Sequence, residues 1–409
     1  MSVRRSAVSC LMLAAALLAA PAPASADDGP VYLAAGLRSA NETGLPGDPD
    51  GQATVVLRIS GDEIAFAARW ERLDTPVDVR VAAGGKGVPG EERLRLLTGP
   101  LPASVRGVTG TVRAAPDLVA ALLADPAAFH AAFHAGVRDA RGSVRGRLHR
   151  LSRPVDLNGV LNGPDQATLT AATTPQGRAT WWLRPAGAAL AYAASWSGAP
   201  TPVTGGLVAR EGVTRPASVS LFAGALPQNV TGVSGVTPVP PEVLRRIAAA
   251  PARWDAVLRT PGPPVRARLG GGPVTHPRAL TAPVLRGEQI YTCARQPSGA
   301  YAFAQLGVAA TLRRGIEHTY VTPGSGPPQW VAPDGSAVRG SVVTRTPNGD
   351  GVIPELVLDA APAGAADGLL ARAAQILRVN TTGGTAPAGP CEPGTEARAP
   401  YGADYVFLS

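Results

Sequence analysis

Residues 117–148 read DLVAALLADPAAFHAAFHAGVRDARGSVRGRL, and the stretch occurs twice in the chain. Shifted by 125 positions, Asp117 falls on Glu242, Pro126 on Pro251 and Phe129 on Trp254, and the block closes with VRGRL (144–148) against VRARL (265–269). Upstream the agreement continues. Gly177-Arg178-Ala179-Thr180-Trp181-Trp182-Leu183 answers Gly51-Gln52-Ala53-Thr54-Val55-Val56-Leu57 at a shift of 126, as Trp196 answers Trp70, and Gly224-Ala225-Leu226-Pro227 answers Gly99-Pro100-Leu101-Pro102 at 125. Separated landmarks at nearly the same shift, 125 or 126 with 121 at the closing block, define an internal repeat.

The pattern inside the repeat selects its fold. Thr54-Val55-Val56-Leu57-Arg58-Ile59 and Ile64-Ala65-Phe66-Ala67-Ala68-Arg69-Trp70 tend to alternate, with Ser60-Gly61-Asp62 between them, which predicts a β-hairpin. A strand is expected at 93–97. One helix follows at 118–124, with Asp117 as its N-cap and Asp125-Pro126 as its stop. Closing strands are expected at 129–134 and 143–149. Short strands with one late helix describe an antiparallel β-sandwich, immunoglobulin-like or Greek-key, here in tandem. The chain therefore divides into a first unit at 27–150, a second at 151–271, a Pro-rich linker at 272–286 and a third, mainly β domain at 287–409 with at most a short helix at 369–374.

Length supports this division, because 409 residues exceed one ordinary core. Gly (48) and Pro (41) are abundant and Lys86 is the only lysine, a bias expected of a G+C-rich bacterial genome. Arg4 and Arg5, the apolar run 11–20 and Ala24-Ser25-Ala26 read as a secretory leader cleaved near Ala26, which makes the mature protein extracellular. Cys10 leaves with the leader. Cys293 and Cys391 remain, and an even count in an exported chain favours one disulfide. No later apolar run reaches the ~18 residues of a membrane span. Without Arg4 and Arg5, 36 basic residues face 30 acidic ones, too mild and dispersed a charge for nucleic acid but suited to acidic envelope polymers.

Both repeats resemble the chordin-type CHRD domain, a module of secreted proteins with a late helix, an aromatic-x-x-x-His strand and a final Gly-x-x-Arg-Gly-x-Leu strand. The first unit carries this as residues 118–123, Phe133-His134 and Gly142-Ser143-Val144-Arg145-Gly146-Arg147-Leu148. The second departs, with Arg259 near the His position and Ala267 for the Gly, and neither has the His-x-His-Gly motif common in that family. The remainder resembles a second secreted family, of unknown function, through Gly287-Glu288-Gln289-Ile290-Tyr291-Thr292-Cys293, His318, Trp330, Asp334-Gly335-Ser336, Ile353-Pro354, Arg378-Val379-Asn380-Thr381, Cys391 and Pro400-Tyr401 to Phe407. Glu355 stands where that family usually has Trp.

Candidate sites follow from residue chemistry. His130, His134 and His149 invite a zinc reading. In a strand, however, residues 130 and 134 lie about 13 Å apart, and no metal or other cofactor is expected. Arg138, Arg141, Arg145, Arg147, Arg150 and Arg153 suit phosphate or carboxylate polymers, or else a charged strand edge. Trp70, Trp181, Trp182 and Trp196 suit either a sugar-stacking platform or the sandwich core. His318, Asp334 and Ser336 contain the residue types of a hydrolytic triad without a nucleophile elbow, and Glu355 and Asp404 add carboxylates. The favoured expectation is a non-catalytic secreted protein that binds an envelope component, matrix component or protein. Trp330, Asn380, Tyr401, Asp404 and Tyr405 of the third domain are its expected recognition residues. The alternative is an extracellular hydrolase or metal enzyme centred on His318.

Overall fold

Period-two alternation builds the first repeat. Its strands are β1 (Val31–Arg38), β2 (Gln52–Ser60), β3 (Glu63–Glu71), β4 (Pro76–Ala83), β5 (Glu91–Arg95), β6 (Val105–Arg113), β7 (Phe129–Ala135), β8 (Val144–Arg147) and β9 (His149–Arg150), with helix α1 (Pro116–Ala124) before β7. The computed structural model describes residues 29–409 except 44–46, 86, 136–143, 166, 211–217, 271 and 276–277, so the expected leader lies outside the described residues. Val55, Leu57 and Ile59 of β2 and Ile64, Phe66, Ala68 and Trp70 of β3 enter the core between sheet β6-β3-β2-β1 and sheet β8-β7-β4-β5. Gly61, at φ 59°, makes the tight turn between them. Helix α1 begins at Pro116 and not with Asp117 as its cap. Pro at the first helical position loses no bond, and Asp117 occupies the first turn, where the helix dipole favours a carboxylate.

The second repeat follows α2 (Leu157–Asn162). It comprises β10 (Ala167–Thr174), β11 (Gly177–Ala186), β12 (Ala189–Ser197), β13 (Gly205–Arg210), β14 (Ser218–Ala223), β15 (Val230–Pro238), α3 (Pro241–Ala249), β16 (Trp254–Arg259) and β17 (Val265–Arg268). Its sheets, β15-β12-β11-β10 and β17-β16-β13-β14, repeat the order of the first unit strand for strand. The short β18 (Val274–Thr275) lies beside β10.

The two repeats are fused. Strand β6 pairs antiparallel with its counterpart β15, and Val105↔Gly235, Val108↔Val233 and Gly110↔Val230 are partners, the register of a local two-fold. The strands carry VRGVTGTV (105–112) and VTGVSGVT (230–237), whose glycines coincide at the repeat shift. A Cβ on Gly107 would strike Ser234, and one on Gly235 would strike the Ser104 carbonyl, so this close pairing requires glycine. One sheet and one hydrophobic core therefore run through both sandwiches.

The third domain is a closed barrel. Its antiparallel strands run in sequence order as β19 (Ala279–Arg295), β20 (Tyr301–Leu312), β21 (Ile316–Tyr320), β22 (Pro328–Val331), β23 (Ala337–Thr346), β24 (Glu355–Pro362), β25 (Gln375–Gly383) and β26 (Glu396–Leu408), which closes on β19. The linker expected at 272–286 is corrected here: it holds β18 and the first half of β19. Pro283 lies where the β19–β26 ladder breaks before resuming at Glu288, which spares a central strand a missing donor. Residues 369–374 form bends and turns in place of a short helix. Trp330, Tyr405, Phe407, Leu312 and Ile376 fill the barrel interior. Cys293 and Cys391 are joined by a disulfide, with Cα atoms 5.8 Å apart.

The barrel docks on the first repeat. Ala34, Val56 and Ala67, on the outer faces of β1–β3, meet Val357, Leu377, Val379, Val406 and Leu408 on the outer faces of β24–β26. These strands are buried on both sides, which explains apolar neighbours such as Val55-Val56 and Val406-Phe407 that a half-exposed strand would not carry.

Candidate functional site

The expected recognition residues of the barrel are placed inside the molecule. Trp330 and Tyr405 are 1% and 0% exposed, and Tyr401 is buried with its hydroxyl 3.3 Å from that of Tyr405. Burial raises the pKa of both tyrosines. Asn380 and Asp404 lie in the joint with the first repeat. Arg38 donates to both Asp404 carboxylate oxygens at 2.7 and 2.6 Å, and the Asn380 amide donates to Asp404 at 2.8 Å and to the Gly36 carbonyl at 3.1 Å. Asn41 donates to the Asn380 side-chain oxygen at 2.6 Å. Of the five expected recognition residues, three therefore fill the barrel and two, Asn380 and Asp404, hold two domains together.

The catalytic candidates separate in the same way. His318 stacks on Trp330 at 4.3 Å, donates from Nδ1 to the Gln329 carbonyl at 2.9 Å, and has its pKa lowered to about 3 by burial. Asp334 accepts from the Ser336 hydroxyl at 2.6 Å and from the Leu369 backbone N–H at 2.7 Å, which makes the pair a turn brace. Glu355 accepts from the Asn380 N–H at 2.8 Å and lies 3.2 Å from His149 Nε2. Burial acts to raise its pKa, but His149, Arg147 and that N–H outweigh it and hold the carboxyl below its usual range. Glu355 and Asp404 thus converge on Asn380, in a joint whose adjoining cavity is about 20 Å³.

The remaining sequence candidates are also placed. His134 receives a bond from Arg80 at 2.8 Å, while His130 donates to the Gly84 carbonyl. Arg145 is buried and donates to the Gly85 and Val88 carbonyls, Arg147 donates to Pro347 O, and Arg153 pairs with Asp359. Arg138 and Arg141 fall outside the described residues. Trp70, Trp181 and Trp196 pack in the shared core.

Trp182 points the other way, toward a groove that sequence reasoning missed. The groove has a volume of about 690 Å³ and crosses the outer face of β2, β3, β6, β15, β12 and β11, with residues 155–159 and Asn162 as one wall. Helix α2 lies across the seam, where Arg69 donates to the Leu161 carbonyl at 3.2 Å. The Asp156 carboxylate caps the helix by accepting from the Asn158 N–H at 3.0 Å. On the floor, small side chains lie between arginines. Arg58 faces Ala65 across β2 and β3, Ala65 faces Thr111 across β3 and β6, Thr180 faces Ser195, and Arg178 faces Ser197 across β11 and β12. The legible trace was the glycine pattern shared by 105–112 and 230–237, which marks the seam beneath the groove.

The geometry defines an architecture of two fused sandwiches and a disulfide-tied barrel, with an open groove over the seam. Residues 273–409 match a family model described as Protein of unknown function (DUF3455), the region that forms the barrel. No curated protein and no solved structure matches the chain.

Proposed function

We propose that this is a secreted, non-catalytic binding protein that holds an envelope or matrix component in the groove over the seam, with each repeat a chordin-type unit. The observation that carries this reading is the groove itself. It is built by both repeats and α2 together, and it remains open although the neighbouring face is covered by the barrel. The common strand order of the repeats and their late helices support the chordin-type assignment. The non-catalytic part rests on where the titratable groups point. His318 and Asp334 serve the barrel's interior and a turn, and Glu355 serves the joint. Among the described residues no helix is long and apolar enough to cross a membrane.

The test is retention of the mature chain on envelope material of the producing cell, compared with a Ser195→Trp variant that fills the floor. Retention lost in the variant is the expected result. Equal retention of both proteins, or turnover of an ester, peptide or glycan by the wild type, would overturn the reading.

A further inference from the structure

The groove's lining is more selective than its shape. Arg58, Arg178 and Arg278 line it against one carboxylate among the described lining residues, Asp156, which lies 3.9 Å from Arg278. Arg58 is only loosely engaged, 3.8 Å from Glu63 with both side chains substantially exposed. Arg178 is exposed and has no ion-pair partner among the described residues. Between these arginines, the half-buried hydroxyls of Thr111, Thr180 and Ser195 line the groove with no side-chain hydrogen bond to another described residue.

The spacing matters as much as the inventory. From β2, which carries Arg58, to β11, which carries Arg178, the sheet order is β2-β3-β6-β15-β12-β11. Five inter-strand steps put the two guanidinium-bearing positions about 24 Å apart. A compact ligand would not reach both ends, whereas an extended chain lying across the strands would. Guanidinium groups pair with carboxylate or phosphate oxygens in a two-point geometry, and free hydroxyls donate to and accept from other hydroxyls. Trp182 of β11, mostly buried against Leu161, Ala167 and Ala193, also lines the groove.

We infer that the groove takes an anionic, hydroxyl-bearing polymer, a glycan or polyol chain carrying carboxylate or phosphate groups, with Arg58 and Arg178 anchoring its charges and Thr111, Thr180 and Ser195 meeting its hydroxyls. This deepens the proposed binding function and rests on the groove being its site. No bond is made or broken.

The experiment is affinity electrophoresis of the mature full chain in gels containing polygalacturonate, poly(glycerol phosphate) or neutral dextran. The variants are Arg58→Ala/Arg178→Ala, Ser195→Trp and, as a distant control, Arg339→Ala, each checked by circular dichroism. Retardation by one or both acidic polymers and not by dextran is expected, and which polymer acts separates carboxylate from phosphate recognition. The double arginine variant should bind at least about tenfold more weakly, with Ser195→Trp abolishing binding and Arg339→Ala leaving it unchanged. Added salt should weaken it. Equal retardation by dextran, abolished by Ser195→Trp, would overturn the anionic class while leaving the groove as the site. Retardation by acidic polymer that survives Ser195→Trp would overturn the groove itself. Failure of all three polymers, with envelope retention still sensitive to Ser195→Trp, would again reject only the ligand class.

Discussion

Single residues show how strongly position overrides type. Asp404 has the chemistry of a catalytic or binding carboxylate, yet at 3% exposure it neutralises Arg38 across a domain joint. Removing one partner leaves a charge without compensation, so Asp404→Ala should destabilise the protein by about 3 kcal/mol in denaturant unfolding; this is the low end for a broken buried pair, because Arg38 retains some solvent access. An Arg38→Met/Asp404→Leu double variant should recover most of that loss. His318 yields a pH prediction. Its folded pKa, lowered to about 3 by burial, lies below the unfolded value of about 6.5, so between those pH values only the unfolded chain binds the proton. Stability should therefore fall as pH drops through that window, by at most ~1.4 kcal/mol per unit from this group. His318→Phe, which keeps a ring against Trp330, should flatten that limb in urea titrations from neutral to acid pH. Glu355 has a clear role here although it departs from the Trp that the family resemblance leads one to expect: it faces His149 and Arg147 of the first repeat.

Elements carry the information that couples the units. The hairpin of β2 and β3 and the late helix were legible because alternation, turn chemistry and proline act within a few residues. The pairing of β6 with β15 was not, because a strand edge has no local marker of its partner 125 residues away. Its only trace is the matched glycines, which allow backbones to approach where a side chain would collide. Gly235→Val, whose side chain would strike the Ser104 carbonyl and Tyr192, should destabilise the repeats by about 1–3 kcal/mol. It should also speed hydrogen exchange in β6 and β15 specifically. Uniform acceleration over all strands would mean that the seam is not a separate weak point.

Among the described residues the apolar side chains form a core shared by the repeats, a core inside the barrel, a patch ringed by Arg38, Asp404 and Glu355 in the joint, and a small cluster beneath α2. The disulfide spans 98 residues of the barrel alone, so a Cys293→Ala/Cys391→Ala variant should lose about 4–5 kcal/mol there in the chain-entropy account. Hydrogen exchange should rise in β19–β26 and change little in the β6–β15 seam; equal losses everywhere would show that the joint makes the chain one cooperative unit. By itself the sequence determined the mainly β class, the duplication and the disulfide-tied third domain, since each follows from periodicity, self-similarity or a count. Only the tertiary structure decided that the repeats share a sheet, that the third domain closes into a barrel and that Asn380 and Asp404 face the first repeat. It also decided that a groove of arginines and hydroxyls crosses the seam. The physical reason is that these features come from pairings between distant strand edges and faces, where which surface meets which is set by global packing and not by any local run of residues.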